Sequence, residues 1–133
     1  MSDSELRFSL EVVQVPVSDV DRAKAFYAER LGFNVDHDTE PSEGMRVVQL
    51  TPPGSACSVV VGTRLSDMAP GSLQGLQLVV SDMESVHAEL SRRGVDVGEI
   101  EWLGHKDRPE SRFAHARFAD PDGNGWVLQE LRR

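Results

Sequence analysis

Cysteine is almost missing from this chain: Cys57 is the only one in 133 residues. A lone cysteine excludes an internal disulfide and a multi-cysteine zinc site. No apolar run is long enough to span a bilayer. The start, Met-Ser-Asp-Ser-Glu-Leu-Arg, lacks the basic residues and apolar stretch of a secretory signal, so the expected compartment is the cytoplasm. Positive charge is scarce too, with 14 basic residues against 22 acidic ones and a net charge of −8. That field repels nucleic acid and anionic membrane over most of the surface, although Arg108, Arg112 and Arg117 are near one another in sequence. With aromatics at 6%, no aromatic-rich basic stripe supports single-strand binding. There is no phosphate-cradling glycine loop, and no nucleophile, base and orienting group assemble by spacing. Nucleic acid and membrane are therefore not expected partners.

The content that remains suits a folded domain: 39% hydrophobic and 27% charged residues, in a length that fits one domain or two half-domains sharing a core. Its densest local signal is Asp120-Pro121-Asp122-Gly123-Asn124, turn chemistry between an alternating apolar run and a final strand at 125–131. The order of elements upstream occurs twice. A strand is expected at 8–17, then a helix capped by Asp19 and stopped by Gly32, then strands at 33–37, 45–51 and 56–62. Residues 63–73 read as a linker broken at Pro70-Gly71. A strand at 75–80, a helix capped by Asp82 and ended by Gly94, and strands at 95–103, 112–119 and 125–131 complete the second set. Gln14, Val17, Ser18, Asp19, Ala25 and Arg30 match Gln77, Val80, Ser81, Asp82, Ala88 and Arg93 at an offset of 63. The turns at 51–54 and 120–123 correspond at a slightly larger offset. An internal duplication of β-α-β-β-β accounts for the whole chain, as one domain with module one at 8–62, the linker at 63–73 and module two at 74–133.

Three stretches carry a resemblance to a known family: 15–27 (VPVSDVDRAKAFY), Leu31-Gly32-Phe33 and 118–125 (FADPDGNG). With their spacing they resemble the vicinal oxygen chelate superfamily of glyoxalase I, extradiol dioxygenases and bleomycin-resistance proteins. The resemblance implies an α+β fold in which two βαβββ modules form a curved, cleft-enclosing mixed sheet. It also implies a homodimer, with the modules packed within one chain or exchanged between chains. Metal-using members carry His or Glu ligands on inward strand positions, two per module. Counted from Asp19 and Asp82, and from Gly54 and Gly123, those positions fall on Val12, Gly75, Ser58 and Val127. None is a His, Asp or Glu, and metal needs nitrogen or oxygen donors converging at about 2.0–2.2 Å. The expectation is no metal at this site and no cofactor, which does not exclude a metal elsewhere.

Other residues at the same places suggest binding. Gln14 and Gln77 occupy corresponding positions and either orient a polar ligand or bond to neighbouring strands. If Phe118 faces the helices with Trp126 and Leu128, then Phe113, His115 and Arg117 face the cavity with Ser58. His115 is the candidate acid or base, and Arg117 can hold a carboxylate or phosphate. Trp102 either stacks on a flat ligand or fills the core; the segment after it, with His105, is a lid or a solvated connection. His37 and His87 are weaker candidates, and Cys57 reads as a buried, inert thiol. The expected function is metal-independent binding of an aromatic or amphipathic, antibiotic-like small molecule, as in the drug-sequestering branch of the family. Net charge is a weak guide to that ligand's sign. A lyase, isomerase or dioxygenase of the superfamily and a sheet-edge interaction module are the alternatives.

Overall fold

A computed structural model describes residues 5–103 and 113–131. The order is β1 (Val12–Gln14), α1 (Val20–Ala25) running into a π-helical turn (Phe26–Arg30), β2 (Asn34–Ser42), β3 (Met45–Thr51) and β4 (Ser58–Gly62). Module two repeats it as β5 (Leu76–Val80), α2 (Met83–Arg92), β6 (Glu101–Leu103), β7 (Phe113–Ala119) and β8 (Gly125–Leu131). Two four-stranded mixed sheets result, ordered β1-β4-β3-β2 and β5-β8-β7-β6. In each, the first strand runs parallel to the last and the other pairs are antiparallel. This is the expected α+β arrangement, and it does not close into a barrel.

Local chemistry explains both helix starts. The Asp19 carboxylate accepts from Arg22 N and the Asp82 carboxylate from Ser85 N, each at 3.1 Å. Such caps satisfy amides that have no partner inside the helix. Gly32 and Gly94 stop the helices at φ +80° and +86°, a region that favours glycine. The first helix is not uniform, because Leu31 N bonds to Phe26 O across five residues. That wider turn lets the adjacent Phe26 and Tyr27 both reach sheet two, at Phe118 and Trp126.

Three strands differ in length from expectation. β1 is three residues rather than ten, because β4 offers partners only from Ser58 onward and Pro16 has no N–H to donate. Residues 5–10 run on as an exposed arm without a partner strand among the described residues. β2 extends beyond 37 to Ser42 despite its charges, since Asp38 is held by Lys24 at 2.6 Å and Arg46 at 2.8 Å. Between Val95 and Ile100 the chain makes isolated contacts, such as Gly98 N to Arg117 O at 2.8 Å, and only Glu101–Leu103 pairs. Arg108, Arg112, His105 and the expected lid lie outside the described residues.

One core joins the modules. Val15, Tyr27, Phe33, Val48, Leu50, Val59 and Val61 of module one cluster with Met83, Ala116, Phe118, Trp126 and Leu128 of module two. The buried carboxylate of Asp120 ties them further, accepting from Tyr27 Oη (2.7 Å), Asn124 Nδ2 (2.8 Å) and the backbone N–H groups of Asp122, Gly123 and Asn124. Asn124 also donates to Pro16 O at 2.8 Å and accepts from Leu73 N at 3.0 Å.

The linker is locked into this turn. Gly71 sits at φ +81°, its N–H donates to Pro16 O, and a Cβ there would collide with the Asp122 carbonyl. Gly71→Ala is expected to cost more than about 2 kcal/mol, from left-handed backbone strain plus displaced backbone. Chemical denaturation reads this as a lower midpoint; an unchanged midpoint would show that linker and turn are not in contact.

Candidate functional site

Strand pairing fixes which side chains share a face, because partners across a ladder point the same way. In module two, Leu76, Trp126 and Phe118 align, as do Leu78, Leu128 and Ala116, and these rows face the core. The alternate rows face outward: Gln77, Val127 and Arg117, then Val79, Gln129 and His115. Module one gives the rows Val12, Ser58 and Gln14, Val60, Gln49, His37. Gln14, Gln77, Phe113 and Arg117 are exposed, His115 is half-buried, and Ser58 is buried. Each face belongs to its own sheet, with the shared core behind both.

Trp102 does not belong with the others. It pairs with Ala114, on the core side of β7, and its side chain packs against the hydrophobic core. The face is therefore opposite to the one a ligand-stacking role requires. Of the two readings open for Trp102, its packing is that of core filling.

The register also revises the count in module one. Gln14 pairs with Val60 as Gln77 pairs with Val127, so Val60, not Ser58, corresponds to Val127. The connection from Gly54 to β4 is two residues longer than that from Gly123 to β8, and a shift of two keeps the face. Ser58 shares its hydroxyl with Thr51 at 2.6 Å, and Thr51 in turn donates to Asp36. That hydrogen bond, with a second from Asn34, holds the Asp36 carboxyl below its ordinary value.

The positions implied for metal thus carry Val12, Ser58 or Val60, Gly75 and Val127. Aliphatic side chains and a glycine offer no ligand atoms, and the Ser58 hydroxyl is taken up by Thr51, so these residues do not fit a divalent ion. Among the described residues, no three His, Cys, Asp or Glu converge into a site for a metal ion. Gln14 and Gln77 make no side-chain hydrogen bond to neighbouring strands among the described residues, and His115 and Arg117 make none either. His87 is occupied structurally, its Nε2 lying 2.9 Å from Gly98 O. Cys57 is half-buried rather than buried, with Sγ 3.7 Å from Ser58 O.

A depression of about 330 Å³ lies at the Gly75–Gly125 end of module two, lined by residues 74–75, 117–119, 123 and 125–127. Gln74 had no sequence signal. It is held over Gly125, with Nε2 donating to Gly123 O at 3.0 Å, and a Cβ on Gly125 would collide with its Oε1. A second groove, about 370 Å³, runs along α1 past Arg22, Phe26 and Arg30 and contains none of the candidate residues. Its rim is bound up in structure: Arg22 pairs with Asp122, and Arg30 and Arg93 donate to each other's backbone carbonyl.

Known proteins share this architecture. The antibiotic binding protein TnmS3 from Streptomyces sp. CB03234 superposes with a TM-score of 0.79 at 36% identity, over 96% of this chain and 99% of its own. A glyoxalase/bleomycin resistance protein from the same strain matches at 38% identity and a TM-score of 0.71, over 93% of this chain and 100% of its own. The uncharacterized protein YetH of Bacillus subtilis (strain 168) is 28% identical over 120 residues, 89% of this chain and 94% of that protein. No helix among the described residues is long and apolar enough to cross a membrane. The family model for the Glyoxalase/Bleomycin resistance protein/Dioxygenase superfamily matches residues 9–128, nearly the full duplicated fold, and the chain belongs to that superfamily.

Proposed function

We propose that this protein binds and sequesters an aromatic or amphipathic small molecule without a metal. The observation that carries the reading is the outer face itself. Where the fold's metal-using members place ligands, the module-one face has Val12 with Ser58 or Val60 beside Gln14, and the module-two face has Gly75 and Val127 beside Gln77, Arg117 and His115. Apolar floor with a few polar contacts is what reversible binding of a flat compound needs. Likeness to an antibiotic binding protein supports the same reading. His115 lies across the ladder from Glu101 with no hydrogen bond between them, so Glu101 does not orient it as a base.

Part of the proposal is a homodimer. The two outward faces differ, and under a two-fold axis the module-one face of one copy can meet the module-two face of another. Such a partner would cover exposed large hydrophobics, Leu6, Phe8, Leu10 and Val12 on the arm and first strand and Val79 and Phe113 on module two, while Met68 lies in the linker. A ligand cavity built this way would hold Gln14 and Gln77 from different copies. The cytoplasm suits a chain with one free thiol.

Titration calorimetry against a panel of polycyclic antibiotics, with recovery of the compound by mass spectrometry, tests this. The expected result is saturable binding with the compound recovered unchanged. Conversion of the compound would transfer the site to catalysis, and a monomer in sedimentation at the titration concentration would remove the shared cavity.

A further inference from the structure

We infer that the outer face of module two selects an organic anion, a flat aromatic carboxylate, with Arg117 as its charge partner; this rests on the binding reading above. Three features converge there. The floor of the depression is a cross-strand row almost free of side chains: Ala119 pairs with Gly125, and Gly75 N donates to Gly125 O at 3.1 Å. Gly75 is at φ +87°, and a Cβ built on it would meet nothing within 4 Å. A ring can therefore lie against the backbone of Gly75, beside the Gln74 amide that covers Gly125.

The next row along the strands is Arg117, Val127 and Gln77. It is graded across the sheet, from a cation through an apolar centre to an amide. Val127 is buried while the two ends are exposed, so the row gives a dry middle with polar groups at its margins. Gln74 borders the same depression, its Nε2 committed to Gly123 O.

The third feature is the state of Arg117. Ion pairs among the described residues use Arg22, Lys24, Arg46, Arg92 and Arg93, and Arg117 is in none of them. The reason is local. On the side away from β8, its backbone meets Gly98, which carries no side chain and so no carboxylate. Glu99 follows Gly98, and Glu101 lies opposite His115 one row further, but neither hydrogen-bonds to Arg117. An arginine without an ion pair among the described residues, beside an open depression, is available to a ligand.

A guanidinium presents a planar fork of donors that matches a carboxylate in two parallel hydrogen bonds. His115 is two residues along the same strand face and adds a second polar contact for a larger molecule. The net charge of −8 argues for a cationic ligand at long range, but that field is screened within about 10 Å at ordinary salt. Contact at Arg117 decides the sign instead.

One scaffold with three charges tests this. Fluorescence titration of the full chain with 1-pyrenecarboxylate, 1-pyrenecarboxamide and 1-pyrenemethylammonium compares anion, neutral and cation. The expected Kd for the carboxylate is roughly ten-fold or more below that of the amide, with the ammonium weakest. Arg117→Gln should bring the carboxylate to the amide's Kd, while Arg117→Lys keeps part of the preference. Equal affinities, tightest binding of the ammonium, or a carboxylate preference that survives Arg117→Gln would overturn the inference while leaving small-molecule binding intact. If none of the three binds, the binding reading fails and the inference falls with it.

Discussion

Replacing Asp120 with alanine is expected to destabilise the protein by roughly 3–5 kcal/mol, because two buried side-chain donors each lose an acceptor at about 1–3 kcal/mol and three backbone bonds are released. Those donors are Tyr27 Oη and Asn124 Nδ2, and both residues are fully buried. Natural domains have about 5–15 kcal/mol in total, so the loss takes a large share. Asp120→Asn should also cost stability, since one side of the new amide must present hydrogens to groups that themselves donate. Urea denaturation read by tryptophan fluorescence checks both variants. A midpoint unchanged in Asp120→Ala would mean the turn is held without this carboxylate.

The same network sets an alkaline limit. Tyr27 is the chain's only tyrosine, and burial, with the Asp120 carboxylate beside its hydroxyl, holds its pKa far above the ordinary value. An unfolded tyrosine ionises near 10. A group raised in the folded state contributes stability that is complete below that value and is lost as pH rises past it. Phenolate absorbance should therefore appear only with unfolding, as one cooperative step. Gradual ionisation near pH 10 with the fold intact would contradict the buried hydrogen bond.

Trp126→Ala is the second large loss, expected at about 3–5 kcal/mol from cavity and transfer terms together. Its ring stacks on Phe118 at a centroid distance of 6.1 Å, approaches Tyr27 at 5.7 Å and Phe33 at 6.1 Å, and donates from Nε1 to Tyr27 Oη at 2.9 Å. Because Tyr27 then donates to Asp120, Trp126 and Asp120 act through one hydroxyl, and their effects should fall short of additive. A double-mutant cycle measures this. Strict additivity would show that the aromatic cluster and the turn are independent.

Much of the fold was legible because its signals are local. Asp19 and Asp82 are caps, glycines close both helices, and β3 and β8 run over the strands expected at 45–51 and 125–131. The arm before Val12 reads as strand from its alternation, yet pairing needs a neighbour that begins only at Ser58. Site residues were harder, because a face depends on register and register depends on loop length. Two added residues before β4 moved the counterpart of Val127 from Ser58 to Val60, and the pairing of Trp102 with Ala114 decided between its two open readings. Gln74 carries no periodicity; its place over Gly125 follows from the tertiary closeness of linker and final turn.

The central claim is binding without a metal, and elemental analysis of the untagged protein, before and after incubation with Zn, Ni, Mn and Fe(II), tests it most directly. The account predicts far less than one equivalent of any metal per chain after desalting, with small-molecule affinity unaltered by a chelator. One tightly held ion per chain, or binding that disappears when the chelator is added, would contradict it and return the outer face to metal-assisted chemistry.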